Sequence, residues 1–287
     1  MVFQPKRMFG QNFLIDRNIA AKIVRLADVS EGDNVWEIGA GKGILTVELL
    51  KTGCQLTCFE IDRDLISDLR ERFGERITLI TEDVLRADWQ KVFSASGGKR
   101  VKIIANIPYN ITSPLLYKIT KHIGYFAQIC IMVQREVAER ITASPGVKSY
   151  GVMSIRIQHS FRVRKLFSVS RHLFRPQPQV DSEVIELVPR LDRMEPEDPA
   201  LYWQIIEASF QARRKTLKNN LSNILTTEEI ELLSKLTANR SLEELSRLGI
   251  RLDKPLSFDL GNRGESLDEE DFSNLYRIIR TVRHPGE

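Results

Sequence analysis

Apolar residues in the first 135 positions switch repeatedly between two periods. NIAAKIVRLADV (18–29) carries them at helical spacing, with Asp16 placed ahead as a cap. NVWEIG (34–39) is a short strand-like run ending in Gly, and ILTVELLKTG (44–53) reads as a helix closed by Gly53. LTCFEI (56–61), ITLITED (77–83), VKIIAN (101–106) and QICIMVQ (128–134) predict further strands. DRDLISDLRERFG (62–74) and a stretch from about Ser113 predict helices between them. This alternation predicts an α/β fold, a parallel sheet with helices on both faces.

Around VPRLDRMEPEDPALY (188–202) the pattern turns to Pro and acid, and the residues after it are helical in pattern with no strong strand. Two domains are therefore expected, a catalytic 1–195 and a small all-α 196–287. At 287 residues, 42% apolar and 28% charged, the chain has ordinary soluble composition and material for a sizeable core. It has no apolar run long enough to span a membrane, and its first residues lack the apolar core of a signal peptide. Cys54, Cys58 and Cys130 are odd in number and carry no zinc-ligand spacing. They read as reduced core residues of a cytoplasmic protein, Cys54 and Cys58 on one face of a strand. The net charge of +4 says little, but its distribution says more. Residues 130–190 hold ten Lys/Arg against five Asp/Glu, QARRKTLKNN (211–220) adds four bases and no acid, and the tail is acidic. That fits a polyanion-binding face, with ordinary solvated charge as the plainer alternative.

The candidate chemistry sits at the strand ends. EIGAGKGIL places Gly39, Gly41 and Gly43 between a strand and a helix, where a missing Cβ lets the backbone turn tightly against a ligand. The spacing E-x-G-x-G-x-G is not the dinucleotide fingerprint, so NAD is the less favoured cofactor. Glu60 ends the next strand, where an acid can accept from ribose hydroxyls, and Asp83 ends the third, placed for an adenine amino group. Both could instead merely cap the helices that come after them. Together these features resemble the S-adenosyl-L-methionine-dependent methyltransferases, whose cofactor has no pyrophosphate and needs no Lys or Arg in the glycine loop. NIPY (106–109) then comes after a fourth strand. An exocyclic adenine nitrogen is a poor nucleophile because its lone pair is delocalised. The Asn106 side-chain oxygen and the Ile107 carbonyl can accept its two N–H bonds, Pro108 fixes the chain, and Tyr109 can stack on the base. Such catalysis works by positioning and preset dipoles, on a base that has left its stack.

FGQNFLID, EIGAGKGILT, EDVL, NIPYNITSPLL, MVQREVAERI, YGVMS, FRPQPQVDSEV and FQARRKTLKNNL succeed one another as in the KsgA-type ribosomal RNA adenine dimethyltransferases, which the chain resembles from about residue 6 to its end. The resemblance implies a Rossmann-like methyltransferase sheet plus a helical C-terminal domain. It implies S-adenosyl-L-methionine held by Gln11, Asn12, Leu14, Gly39, Gly41, Glu60, Asp83, Val84 and Asn106, with no metal. It implies Phe174 facing Tyr109 across the flipped adenine, with a core aromatic as the plainer alternative. Arg213, Arg214, Lys215 and Lys218 would face RNA from a helix on which Arg214 and Lys218 share a side. Arg135 and Arg140 are equally open to RNA contact and to surface ion pairing. Gln177 departs from the family's usual Pro, which puts only loop stiffness in question. The implied reaction is dimethylation of two adjacent adenosines near the 3′ end of 16S ribosomal RNA, in the small subunit or its precursor, by a monomer. Two other readings stand beside it. One is an Erm-type methylase of large-subunit RNA, disfavoured by FQARRKTLKNNL and the closing segment. The other is a non-catalytic assembly factor, which a degenerate NIPY would favour.

Overall fold

The computed structural model describes residues 11–239, 242–247, 249–250, 252 and 255–284. Phe9 and Gly10 of the FGQNFLID motif lie outside the described residues. The chain divides into two compact units. One holds Ser160–Leu191 and the residues before Ala143, the other Ala143–His159 and the residues from Asp192 onward.

In the first unit, β1 (Phe13–Leu14) precedes α1 (Arg17–Leu26), and Asp16 caps α1 by accepting from the amides of Asn18 and Ile19. Then come β2 (Asn34–Ile38), α2 (Ile44–Leu50), β3 (Gln55–Phe59), α3 (Arg63–Phe73) and β4 (Thr78–Ile80). α4 (Trp89–Ala95), β5 (Val101–Asn106), α5 (Thr112–Lys121), β6 (Phe126–Gln134) and α6 (Arg135–Ile141) continue the alternation. α7 (Val152–Ser160) belongs up to His159 to the second unit, and β7 (Phe161–Val169), β8 (Phe174–Arg175) and β9 (Ser182–Pro189) complete the first.

Seven strands form one sheet in the order β4-β3-β2-β5-β6-β9-β7. β4 to β6 pair in parallel, as the alternation predicts. β9 and β7 add antiparallel pairs at one edge, so the sheet is mixed rather than parallel throughout. β2 is buried on both faces, as a central strand of such a sheet must be. Its alternate residues point to opposite sides. Trp36 meets Phe59, Trp89 and Phe126 edge-on, while Val35 joins Ile104, Leu45 and the three buried thiols on the other side. The strand order reverses between β2 and β5, which opens the crevice at their carboxyl ends.

The second unit contains α8 (Pro199–Ser209), α9 (Leu217–Leu221), α10 (Thr227–Asn239), α11 (Leu242–Arg247) and α12 (Glu269–Arg283). Asp268 and Asp271 cap α12 reciprocally, each accepting from the other's backbone N–H. The division differs from 1–195 and 196–287 in starting the second unit at Asp192 and in the segment Ala143–His159, which groups with the helices. The cause is packing: Tyr150 and Ile155 lie in the helical core with Leu201, Ile205 and Phe272, and the Tyr150 hydroxyl donates to the Leu267 carbonyl at 2.8 Å.

Candidate active site

Four strand ends meet at the crevice of the first unit. The turn after β2 meets other segments at two of its glycines. Gly39 and Gly41 have φ of 72° and 56°, in the left-handed region. A Cβ on Gly39 would come within 3.3 Å of the Pro108 ring, and one on Gly41 within 3.2 Å of the Phe13 ring. The NIPY loop and the N-terminal segment therefore lie directly against the glycine turn.

Glu60, buried at the end of β3, pins this turn: its Oε2 accepts from the Gly41 N–H at 2.9 Å. Its Oε1 accepts from Ile61 and Asp62 at 2.9 and 3.0 Å, so the remaining acceptor capacity lies on Oε2. Gln11 donates through Nε2 to Asp62 at 2.8 Å, which ties the N-terminal segment to the same corner. Beyond β4, Asp83 accepts the Leu85 N–H on Oδ1 at 2.9 Å.

Gln11, Gly39, Glu60 and Asp83 line a cavity of about 250 Å³ together with Phe13, Ile38, Phe59, Ile61, Leu65, Glu82, Val84, Pro108, Asn110 and Ile111. Among the described residues its ionisable lining is Glu60, Glu82 and Asp83, with no Lys or Arg. That acceptor set suits a ligand with hydroxyls, an amino group and a positive centre, and opposes a pyrophosphate. A larger groove of about 790 Å³ runs along the β3–β4 edge but contains none of the predicted site residues.

At the end of β5, the Asn106 amide is oriented by its Nδ2, which donates to the Asn12 carbonyl at 3.1 Å. Its Oδ1 is thereby turned into an acceptor role. Ile107 is anchored by its own N–H to the Met132 carbonyl at 3.3 Å, and Tyr109 shares a 2.8 Å hydroxyl–hydroxyl hydrogen bond with Ser182. Burial raises the Tyr109 phenol above its ordinary value, so it stays protonated at neutral pH.

Several expectations meet a different arrangement. Phe174 is fully buried and lies in an apolar cluster with Leu14 and Val184, while its strand pairs with β1. It packs as a core aromatic and is absent from the cavity lining, where pairing of Leu14 with Phe174 draws both inward. Phe13, not Leu14, lines the cavity. In the helical unit, residues 211–216 form turns and α9 starts only at Leu217, so Arg214 and Lys218 do not share a helical face. The amides of Leu217 and Lys218 are taken by the Asn262 and Leu260 carbonyls, and buried Asn220 donates to Ser209 and Ala212. These bonds hold 211–216 as a turn. Arg213 is engaged within the unit, with Nε and Nη2 on Glu265 at 3.1 and 2.8 Å and Nη1 on the Lys148 carbonyl at 2.6 Å. Arg214, Lys215 and Lys218 are exposed. Arg135 pairs with Asp181 and Arg140 with Glu136, both at 2.8 Å. Sequence reasoning also missed Ile61, Asn110 and Ile111 in the cavity wall, although each stands next to a motif residue.

Sheet order, glycine turn and an acid-lined, base-free cavity define an S-adenosyl-L-methionine-dependent methyltransferase. Residues 2–250 match the family described as ribosomal RNA adenine dimethylase. The chain is 39% identical to the ribosomal RNA small subunit methyltransferase A of Bacillus mycoides strain KBAB4, over 96% of this chain and 92% of that one. The protein of the same name from Bacillus cereus strain AH187 is equally similar, with the same coverage. Among solved structures, a dimethyladenosine transferase from Plasmodium falciparum superposes with a TM-score of 0.71 at 27% identity, covering 92% of this chain and 95% of that one. The 23S rRNA methyltransferase ErmE shares the fold, with a TM-score of 0.66 at 23% identity over 94% of this chain and all of its own. The chain belongs to the ribosomal RNA adenine dimethylase family and is an rRNA adenine methyltransferase.

Proposed function

We propose that this protein dimethylates the N6 amines of two adjacent adenosines in the 3′-terminal hairpin of 16S ribosomal RNA. In this reading it acts as a cytoplasmic monomer on a small-subunit assembly intermediate. The observation that carries the reading is Asn106, whose Nδ2 donates to the Asn12 carbonyl and whose Oδ1 stays an acceptor, two residues before Pro108 of the cavity wall. The names of the relatives at 39% identity support the small subunit as the source of the RNA.

S-adenosyl-L-methionine, when bound, would supply an electrophilic methyl on a sulfonium. Gly39 and Gly41 would give its amino-acid end close backbone approach, Glu60 would accept from its ribose, and Asp83 and Val84 would hold its adenine. Gln11, Asn12 and Leu14 belong to the segment that closes over it, Gln11 through its bond to Asp62. Asn106 Oδ1 and the Ile107 carbonyl each accept one N–H of the target amine. Two acceptors set off the plane of the base pull the nitrogen toward tetrahedral geometry and free its lone pair for attack. After one transfer the amine retains a single N–H, so the second round uses only one acceptor. The proton passes to water once the new bond has formed, and no strong base is needed. Pro108, seated on the glycine turn, fixes the two acceptors relative to each other, and Ser182 fixes Tyr109 for stacking on the unstacked base. Exposed Arg214, Lys215 and Lys218 offer phosphate contacts that position the RNA without reading its sequence.

The test is methyl transfer from labelled cofactor to purified, unmethylated small subunits, with mass analysis of the digested nucleosides. N6,N6-dimethyladenosine at the paired 3′-end adenosines is expected. Product on large-subunit RNA alone, or tight subunit binding with no transfer, would overturn the proposal.

A further inference from the structure

The turn that brings Asp83 and Val84 to the cavity has an unusual division of its backbone polar groups. Asp83 collects the donors: its side chain takes the Leu85 N–H at 2.9 Å, and its carbonyl takes those of Arg86 and Ala87, both at 2.8 Å. A single side chain from another element collects the acceptors. Lys118, on α5, donates through Nζ to the carbonyls of Val84, Leu85 and Ala87 at 3.0, 3.1 and 2.8 Å. An ammonium has three N–H bonds, and all three are used here. Nζ also lies 4.6 Å from the centre of the Trp89 ring, whose own Nε1 donates to the Val84 carbonyl at 3.0 Å.

This lysine faces carbonyls rather than a carboxylate. Burial pulls its ammonium below the ordinary lysine value, with Asp83 and Asp88 opposing the shift from a distance. A half-buried cation held in this way serves geometry, since an exposed lysine gains little from neutral acceptors. Its position in the chain matters as well. α5 begins three residues after Tyr109, and the Thr112 hydroxyl reaches back to the Pro108 carbonyl at 3.4 Å. One short helix thus joins the amine-accepting loop at one end of the cavity to the Asp83 turn at the other.

We infer that Lys118 is a positioning residue that sets the Asp83 carboxylate for recognition of the cofactor's adenine amino group, and so confers selectivity for adenine over other purines. The inference rests on the proposed placement of adenine at Asp83. Without Nζ, the Leu85 and Ala87 carbonyls lose their partner and the turn relaxes, carrying the Asp83 side chain off its aim.

The experiment compares calorimetric affinities for S-adenosyl-L-homocysteine and S-inosyl-L-homocysteine, which carries a carbonyl where adenine has its amine. The unaltered protein should prefer the adenosyl compound strongly. Lys118→Met keeps the aliphatic stem over Trp89 and removes only the donors. It should weaken adenosyl binding about tenfold, the order of one lost charge-assisted hydrogen bond, and shrink the preference by a similar factor. Trp89→Phe removes the second donor on the Val84 carbonyl and should move the preference in the same direction, which keeps the test open if the lysine variant unfolds. A preference that survives both changes would overturn the role of Lys118. Absence of any preference in the unaltered protein would instead refute the placement of adenine at Asp83, and the inference with it.

Discussion

Glu37 opens the E-x-G-x-G-x-G motif, yet it points away from the cavity and into the core. It is 1% exposed, accepts from the Thr46 hydroxyl at 2.6 Å, and lies 3.5 Å from the Cys58 sulfur. Burial raises its carboxyl to about 8, the hydrogen bonds only partly oppose this, and the charge of Glu60 adds to it. In the unfolded chain it titrates near 4.5. A folded value above the unfolded one means that the native state keeps a proton which the unfolded state has released. The corresponding stability is fully present below pH 4.5 and is lost as pH rises to about 8. At about 1.4 kcal/mol per unit, a rise from 4.5 to about 8 gives a loss on the order of 5 kcal/mol. Glu37→Gln has nearly the same shape, keeps an acceptor for Thr46 and does not titrate. Urea unfolding at pH 5, 6.5 and 8 should show the variant close to the parent at pH 5 and several kcal/mol more stable at pH 8. Parallel stability profiles for the two proteins would refute the reasoning, because they would mean that Glu37 is ionised in the folded state.

Asn106→Ala should lower methyl transfer about 10²–10³-fold while subunit binding stays within a few-fold of the parent, measured by single-turnover labelling and filter binding. Phe174→Ala should cost about 3–5 kcal/mol by thermal or urea unfolding, as removal of a fully buried ring does. Unchanged stability with abolished transfer would return Phe174 to the stacking role. Replacing Arg214 and Lys215 together with Ala should weaken small-subunit binding and reduce its salt slope by up to about two. Arg213→Ala should leave that slope alone and lower the melting temperature of the helical unit, since its guanidinium is already held by Glu265 and Lys148.

One physical distinction separates the parts of the site that the sequence discloses from those it hides. The placement of Gly39, Glu60, Asp83 and Asn106 at neighbouring strand ends was legible because each ends a short apolar run, and such runs in a parallel sheet finish at the same edge. The antiparallel edge was not. SEVIELVP (182–189) is buried almost throughout and shows no alternation, and β7 breaks its own register between Lys165 and Phe167. A bulge of this kind shifts the period on which strand recognition depends. QARRKTLKNN reads as helical within the pattern of the C-terminal stretch. Its geometry is decided instead by Asn220 and by carbonyls about forty residues further along the chain, at Leu260 and Asn262. The burial of Phe174 was hidden for a related reason, since its strand pairs with Leu14, some 160 positions away.

The same logic explains why Lys118 left no trace in the pattern. On α5 it comes after Leu115 and Leu116 and precedes Ile119, the place of an ordinary boundary lysine on an amphipathic helix. Only the fold discloses that three carbonyls of the Asp83 turn converge on its ammonium. The site therefore has two kinds of parts. In the proposed reading, strand-end residues supply the chemistry and declare themselves by spacing. Residues such as Asn12, Ser182 and Lys118 aim that chemistry from distant stretches of chain, through one or a few bonds to a loop. A substitution in the second group changes no reacting atom, so its effect should fall on selectivity and alignment before it falls on folding. That distinction is what the ratio of adenosyl to inosyl affinities measures, and what a stability assay alone would miss.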